Sequence, residues 1–256
     1  MTRSLLLAFS LSALVFSACS EKTPTPTTEA SETANGSAAA HISEKKPVTA
    51  PARFLTYSDV ITINPEYAPG TAELPTDDDG RPLAYAMLGK SIPEFTLTMR
   101  NGETVTHADL EGLWTVIDFW GLWCGDCVVD APYASALRTA LAQDPDVQFL
   151  GIHMPPSAAR ADEAFGKWGS LNAYFSDKGG DYNTGIDADA AVRDAFDIYW
   201  APTYLLITPD LKILAFRTDL HVDDSDGIKP IVQQIAELRR GYQAAAVDTG
   251  VLPSDE

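Results

Sequence analysis

Cysteine is scarce in this sequence, with three in 256 residues. That is too few for a scaffold held together by disulfides, so each cysteine can be weighed singly. Basic side chains are also few, 18 Lys and Arg against 36 Asp and Glu, for a formal net charge of -18. A surface so acidic repels phosphate backbones, which argues against nucleic acid as a partner. It offers no electrostatic attraction to anionic head groups, so attachment to a bilayer must come from another source. There is no second cysteine pair and no suitably spaced histidine pair, which leaves a structural zinc site without ligands. No internal repeat is present. The apolar run near the N-terminus is too short for a comfortable transmembrane helix. The hydrophobic content, 45%, suits one ordinary domain, commonly about 100–200 residues long, with extra segments.

What is there begins with an address. Met1 to Ala18 reads as a secretory signal: Arg3 is the positive start, Leu5 to Phe16 is apolar apart from Ser10 and Ser12, and Ser17 and Ala18 are small. Cys19 follows at once, and Phe16-Ser17-Ala18-Cys19 resembles a bacterial lipobox, with Phe where Leu is commoner. The resemblance implies that Cys19 is lipidated and becomes the new N-terminus, anchored to a bilayer by acyl chains at about 0.8 kcal/mol per buried methylene. Residues 19–51 are rich in Thr, Ser, Ala, Pro and Glu, and are expected to form a disordered tether with a reach of roughly 30 Å. The expected location is the bacterial cell envelope, on its periplasmic or extracytoplasmic side. Residues 52–87 form an N-terminal extension in which Phe54–Tyr57 and Val60–Ile63 are predicted as short strands. Asp77-Asp78-Asp79-Gly80 lacks the ligand spacing of an EF-hand loop and reads as a solvated turn.

The globular body spans 88–244, with a flexible tail expected over 245–256. Phe95–Thr98 alternates like a strand, Asn101-Gly102 is a hairpin turn, and Val105 lies on the return. Thr115–Trp120 and Val147–Ile152 are predicted as buried strands. Helices are predicted over Cys124–Leu141, Ala159–Trp168, Ala188–Phe196 and Ile228–Tyr242, the last from Ile228, Ile231, Ile235 and Leu238 at helical spacing. Tyr204–Thr208 and Ile213–Arg217 are predicted strands joined by Pro209–Lys212. This order predicts an α/β fold, a mixed sheet with helices on both faces.

The chemistry lies in the run from Val116 to Cys127, which ends Trp123-Cys124-Gly125-Asp126-Cys127. A strand ends, a short turn follows, and Cys124 stands at a helix N-terminus. Unpaired N–H groups and the helix dipole stabilise an anion there, and thiolate is the reactive form of cysteine. Cys127 lies one turn later on the same face, where it can close a disulfide with Cys124 and act as the shielded resolving partner. An inert structural disulfide is the competing reading in an exported protein; Trp123 and the strand–turn–helix setting count against it.

Over about Leu88 to Tyr242 the sequence resembles the thioredoxin family, in particular its TlpA/ResA-like membrane-associated thiol-disulfide oxidoreductases. Gly89–Leu97 looks like that family's first strand, and Pro132 sits where its active-site helix carries a kinking proline. Ala201-Pro202-Thr203 is similar to the family's cis-proline loop. The resemblance implies a thioredoxin-like three-layer fold with a TlpA/ResA-type insertion after the active-site helix, in the long span from Cys127 to Pro202. It implies that Pro202 lies against the cysteine pair, and that Trp123, Ala201 and Thr203 border a substrate groove. No cofactor is implied beyond the Cys124–Cys127 disulfide. The implied partners are client proteins with disulfides or thiols, apocytochromes c among the candidates, and a membrane thiol electron donor; a monomer is expected. A peroxiredoxin is excluded, because no Pro-x-x-x-Thr-x-x-Cys pattern occurs.

Three acids near the pair bear on its chemistry. Asp118, six residues before Cys124, matches the buried acid of thioredoxin that moves a proton from the resolving thiol. Asp130, three residues after Cys127, stands where TlpA/ResA-like proteins carry glutamate. Asp118 is favoured as the proton acceptor, since its strand should be buried. Asp130 is held as a modulator, with a solvated helix residue as the alternative. Asp126 occupies the place of a proline in plain thioredoxins; an anion there opposes the Cys124 thiolate and points to a reductase. His153-Met154 raises copper binding by a metallochaperone-like module as the alternative function. His107 and His221 have no evident partners, and Trp114, Trp120, Trp168 and Trp200 read as packing residues, with Trp200 beside the groove.

Overall fold

The computed structural model describes residues 49–68, 73–179, 182–221 and 227–249. The signal segment, Cys19 and nearly all of the expected tether lie outside the described residues. The sheet grows outward from β4 (Trp114–Trp120), every residue of which is buried. Such an apolar, β-branched and aromatic run pairs on both edges: with β5 (Val147–His153) in parallel and with β7 (Thr203–Ile207) in antiparallel. Beyond β5 lie β6 (Thr184–Ile186), then β2 (Thr96–Met99) and β3 (Thr104–Thr106); beyond β7 lie β8 (Ile213–Arg217) and β1 (Leu55–Thr56). The result is an eight-stranded mixed sheet of order β1-β8-β7-β4-β5-β6-β2-β3.

Side chains alternate across β4, and that alternation sorts the molecule into layers. Trp114 and Val116 pack with Ala134, Leu137 and Leu141 of α2 (Gly125–Leu141) and with Ile231 and Ile235 of α5 (Lys229–Thr249). Ile117 and Phe119 face the other way, onto Ile152, Phe196 and Val192 of the short α4 (Ala191–Ala195). Asp118 shares the parity of Val116, so its side chain enters the α2 layer beneath the cysteines.

Several local expectations change. Val60–Ile63 is helical, within α1 (Tyr57–Ile63): Thr56 caps the helix by accepting from Asp59 N while Asp59 accepts from Thr56 N. That reciprocal cap outweighs the β-branched residues that read as a strand. Ala159–Trp168 forms two short 3-10 segments, Ala158–Glu163 and Gly166–Trp168, because Arg160 and Gly166 leave helical backbone angles. The regular helix of this insertion is α3 (Leu171–Lys178), capped by Ser170. α4 is shorter than Ala188–Phe196, since Ala190 adopts φ 65°. α5 runs past Tyr242 to Thr249, so 245–249 is helix where a flexible tail was expected. Asp77 is buried and accepts from the backbone N–H of Ala50, Asp79 and Arg81. The acidic cluster is therefore a turn built around one buried carboxylate, with Asp78 and Asp79 exposed.

The extension before Leu88 is part of the fold. β1 pairs with β8 and covers that edge of the sheet. Phe54 N–H donates to Gln234 Oε1 and Gln234 Nε2 donates to Phe54 O, both at 2.8 Å, which ties the extension to α5. Tyr85 Oη donates to Phe196 O at 2.5 Å. Among the described residues no helix is long and apolar enough to cross a membrane. Because Phe54 is fully buried among Trp114, Tyr204 and Leu220, Phe54→Ala is expected to destabilise the whole domain by about 3–5 kcal/mol. Chemical denaturation followed by fluorescence measures this; a loss below about 1 kcal/mol would mean the extension is only loosely attached.

Candidate active site

β4 ends at Trp120, and Gly121-Leu122-Trp123 turns the chain onto α2. The turn is clamped from β5 and from the insertion. Met154 N–H donates to Trp120 O at 2.9 Å, and Trp123 Nε1 donates to Met154 O at 2.8 Å. Position 121 tolerates no side chain, since a Cβ would lie 2.8 Å from Met154 O and collide with the Trp123 ring. Leu122 N–H donates to His153 Nε2 at 3.4 Å, and the His153 ring stacks on Phe165 with centroids 5.0 Å apart. Burial lowers the His153 pKa to about 4, so the ring is a neutral acceptor at neutral pH. On the other side, Gly166 abuts the Leu122 carbonyl, which a Cβ there would approach to 2.5 Å. The buried His153, on which a copper reading turned, thus spends its Nε2 on the turn.

Cys124 is the N-cap of α2, with φ -95° and ψ 118°, and its Sγ accepts the Cys127 N–H at 3.1 Å. The helix therefore directs a backbone donor at the sulfur where a thiolate would form. The two sulfurs are joined in a disulfide, with Cα atoms 5.3 Å apart. Cys124 is 7% exposed and Cys127 3%, so the first sulfur is the one nearer to attack. Cys124 Sγ lies 3.3 Å from the Ala201 carbonyl oxygen, and the Ala201–Pro202 peptide is cis. The backbone at Ala201–Pro202 is thus brought against the pair. Thr203 is buried, its Oγ1 donating to Trp200 O, while Trp123 and Ala201 are half-buried at the rim. Asp126 is exposed in the first turn of α2, where its charge competes with the Cys124 thiolate for the same helix end.

Both flanking acids are inside. Asp118 is 1% exposed, and its Oδ1 has no hydrogen-bond partner. Burial, and after it the charge of Asp130, push its carboxyl well above the ordinary 3.8. Asp130 is 0% exposed, which rules out the alternative of a solvated helix residue. Three donors converge on its carboxylate, Leu220 N–H at 2.7 Å and Tyr204 Oη at 3.0 Å on Oδ2 and His221 N–H at 2.9 Å on Oδ1, and the His221 ring Nδ1 lies 2.6 Å from Oδ1. His221, without an evident partner in the sequence, has one here. The inward stripe of α2 runs Cys127, Asp130, Ala134, Leu137, Leu141. That spacing of three and four is legible in the sequence and places Asp130 inward. Tyr204 and Asp219 were missed because their partners, Asp130 and Arg81, come from distant parts of the chain, and with them Arg217, which bonds to Asp219. Arg217 is buried and bonds through Nε to Asp219 O, and Asp219 accepts from Arg81 of the extension at 2.6 Å.

The chain is similar to known proteins. Residues 87–224 match the family described as Redoxin. Thiol-disulfide oxidoreductase ResA of Bacillus subtilis is 27% identical over 131 residues, 51% of this chain and 66% of the relative. Soluble secreted antigen MPT53 of Mycobacterium tuberculosis is 29% identical over 117 residues, 46% of this chain and 60% of the relative. Among solved structures, StoA of Bacillus subtilis aligns with a TM-score of 0.44 and 14% identity, covering 57% of this chain and 96% of that one. The chain thus spans less than two thirds of the length of these two curated relatives.

The Asp118 site has a testable consequence for stability. Between pH 3.8 and its raised folded value, the native carboxyl holds a proton that the unfolded chain has released. The native state then binds more protons, so this group makes stability fall as pH rises through that window. Asp118→Asn is neutral throughout. Its stability relative to the parent, from denaturant titrations, is expected to be lowest near pH 4 and to climb as pH rises through the raised value; a difference that does not change with pH would refute the assignment.

Proposed function

Since this chain belongs to the Redoxin family, with the TlpA/ResA-like thiol-disulfide oxidoreductases among its relatives, we propose that it exchanges its Cys124–Cys127 dithiol and disulfide with client proteins, acting as a reductase. The observation that carries the reading is Cys124 at the N-cap of α2, with a backbone donor on one side of its sulfur and the Ala201–Pro202 peptide on the other. In the dithiol state the Cys124 thiolate attacks a client disulfide, forming a mixed disulfide and releasing one client thiolate. Cys127 then gives its proton to the ionised form of Asp118 and attacks Cys124 Sγ. The protein disulfide closes and the second client sulfur leaves as thiolate, to be protonated. A thiol donor returns two electrons and two protons to reset the pair. Pro202 shapes the groove for an extended client segment, with Trp123, Ala201 and Thr203 along it, and Asp130 tunes the acid beneath.

The apolar Leu5–Phe16 run and Cys19 support an exported head tethered to a membrane through lipid on Cys19. The name of the mycobacterial relative describes a secreted protein, in keeping with an envelope location. Asp126 supports the reducing direction. Replacing it by Asn removes an anion from the helix end and should raise the reduction potential by about 10–20 mV, the equivalent of the 0.3–1 kcal/mol typical of such charges. Equilibration with glutathione buffers measures the shift, and a lower potential in Asp126→Asn would contradict the role.

Cys127→Ser leaves Cys124 able to attack and removes the group that resolves. It should accumulate a mixed disulfide with a disulfide-bonded client, visible by mass and released by dithiothreitol. If the variant forms none under conditions where the parent disulfide is reducible, the pair is structural and the proposed function fails.

A further inference from the structure

A line of side chains leads from the buried acid beneath the cysteines to solvent. Asp118 lies directly opposite Tyr204 in the β4–β7 ladder, so the two side chains share a face. Tyr204 Oη reaches Asp130 Oδ2, and Asp130 Oδ1 is held by both the backbone N–H and the ring Nδ1 of His221. Asp118, Tyr204 and Asp130 are all 1% exposed or less, whereas the His221 side chain is 39% exposed. The other charged groups packed near this line are Asp219, Arg217 and Arg81. Arg217 and Arg81 cannot give up a proton, and Asp219 is bonded to Arg81. Imidazole has two nitrogens on opposite sides of one ring, and here one faces a buried carboxylate while the ring reaches solvent.

We propose that His221 is the solvent end of the proton route serving Cys127, acting through Asp130. This rests on the dithiol exchange proposed above. The proton that leaves the Cys127 thiol passes to Asp118 and on to Asp130. Asp130, as carboxylic acid, gives it to the unprotonated Nδ1 of the Nε2–H tautomer of His221; the imidazolium then releases the proton on Nε2 to water. The Asp130 carboxylate and a neutral ring, now the Nδ1–H tautomer, remain, and no electron moves in any of these steps. In the resetting direction the same groups run backward and bring a proton in. His221 touches neither sulfur, so its effect falls on the resolving step and leaves the attack by Cys124 untouched.

Two variants separate proton carriage from simple support. His221→Ala removes the ring but leaves both backbone N–H donors on Asp130. His221→Asn puts an amide donor near the position of Nδ1 but has no second nitrogen to exchange with water. With oxidised glutathione as client, rapid-quench mass analysis follows formation and decay of the mixed disulfide. In both variants the mixed disulfide should form at the parental rate and decay about 100-fold more slowly, at the low end of general acid–base effects. Free imidazole should restore the decay in His221→Ala in proportion to its concentration. Parental decay in His221→Asn would reduce the histidine to a structural donor, and slow decay in His221→Ala that ignores imidazole would overturn the route. Failure of the parent itself to form any mixed disulfide would instead remove the exchange reading on which the proposal stands.

Discussion

The Asp130 carboxylate, buried with three donors and the His221 ring nitrogen around it, is the constraint on which the site is built. A charge in the interior is tolerated only when its lone pairs are met, and here the donors come from β7 and from the chain after β8. Each hydrogen bond to a charged group contributes about 1.5–3 kcal/mol, and leaving the group unpaired costs more. Satisfying Asp130 therefore fixes where the first turns of α2 sit against β7. Because Cys127 is one turn back on the same stripe and Cys124 caps the helix, the same contacts set the cysteines beside the Ala201–Pro202 peptide. Arg81 extends the network to the N-terminal extension through Asp219, so a segment before the family-like region supports the floor of the site.

The two cysteines occupy different environments although they are three residues apart. Cys124 has the helix end and the Cys127 N–H for a developing thiolate, moderated by the exposed charge of Asp126. Cys127 is enclosed, with Asp118 carrying an unpartnered oxygen in the same layer. A carboxyl raised by burial is suited to hold the proton of a thiol that must become a nucleophile on demand. The difference follows from position along one helix: the cap lies against the Ala201–Pro202 peptide, and the next turn is enclosed with the buried acids.

The turn that presents Cys124 is braced from outside the helix. His153 accepts from Leu122, Met154 accepts from Trp123, and Gly166 of the insertion lies against the Leu122 carbonyl. The aromatic cluster of Trp120, Tyr174, Phe175 and Tyr182 packs with both cysteines. The insertion thereby shapes the approach to the sulfurs, and its irregular 3-10 path is what lets Gly166 come so close.

Local sequence determined a good deal. The buried run of β4, the helix that follows, the Cys124–Cys127 spacing and the hairpin at Asn101-Gly102 each depend on residues near one another, so periodicity and turn chemistry reveal them. The inward position of Asp130 was available in the same way, from its place on the Cys127–Leu141 stripe. Tertiary structure decided the rest. Val60–Ile63 became helix because of a cap at Thr56, and Ala159–Trp168 lost regular helix where Gly166 had to meet Leu122. Whether Asp130 is a solvated charge or the anchor of the site depends on His221 and Leu220, 90 and more residues away. A side chain's partners across the fold set its burial and its electrostatics, and spacing along the chain carries no record of them.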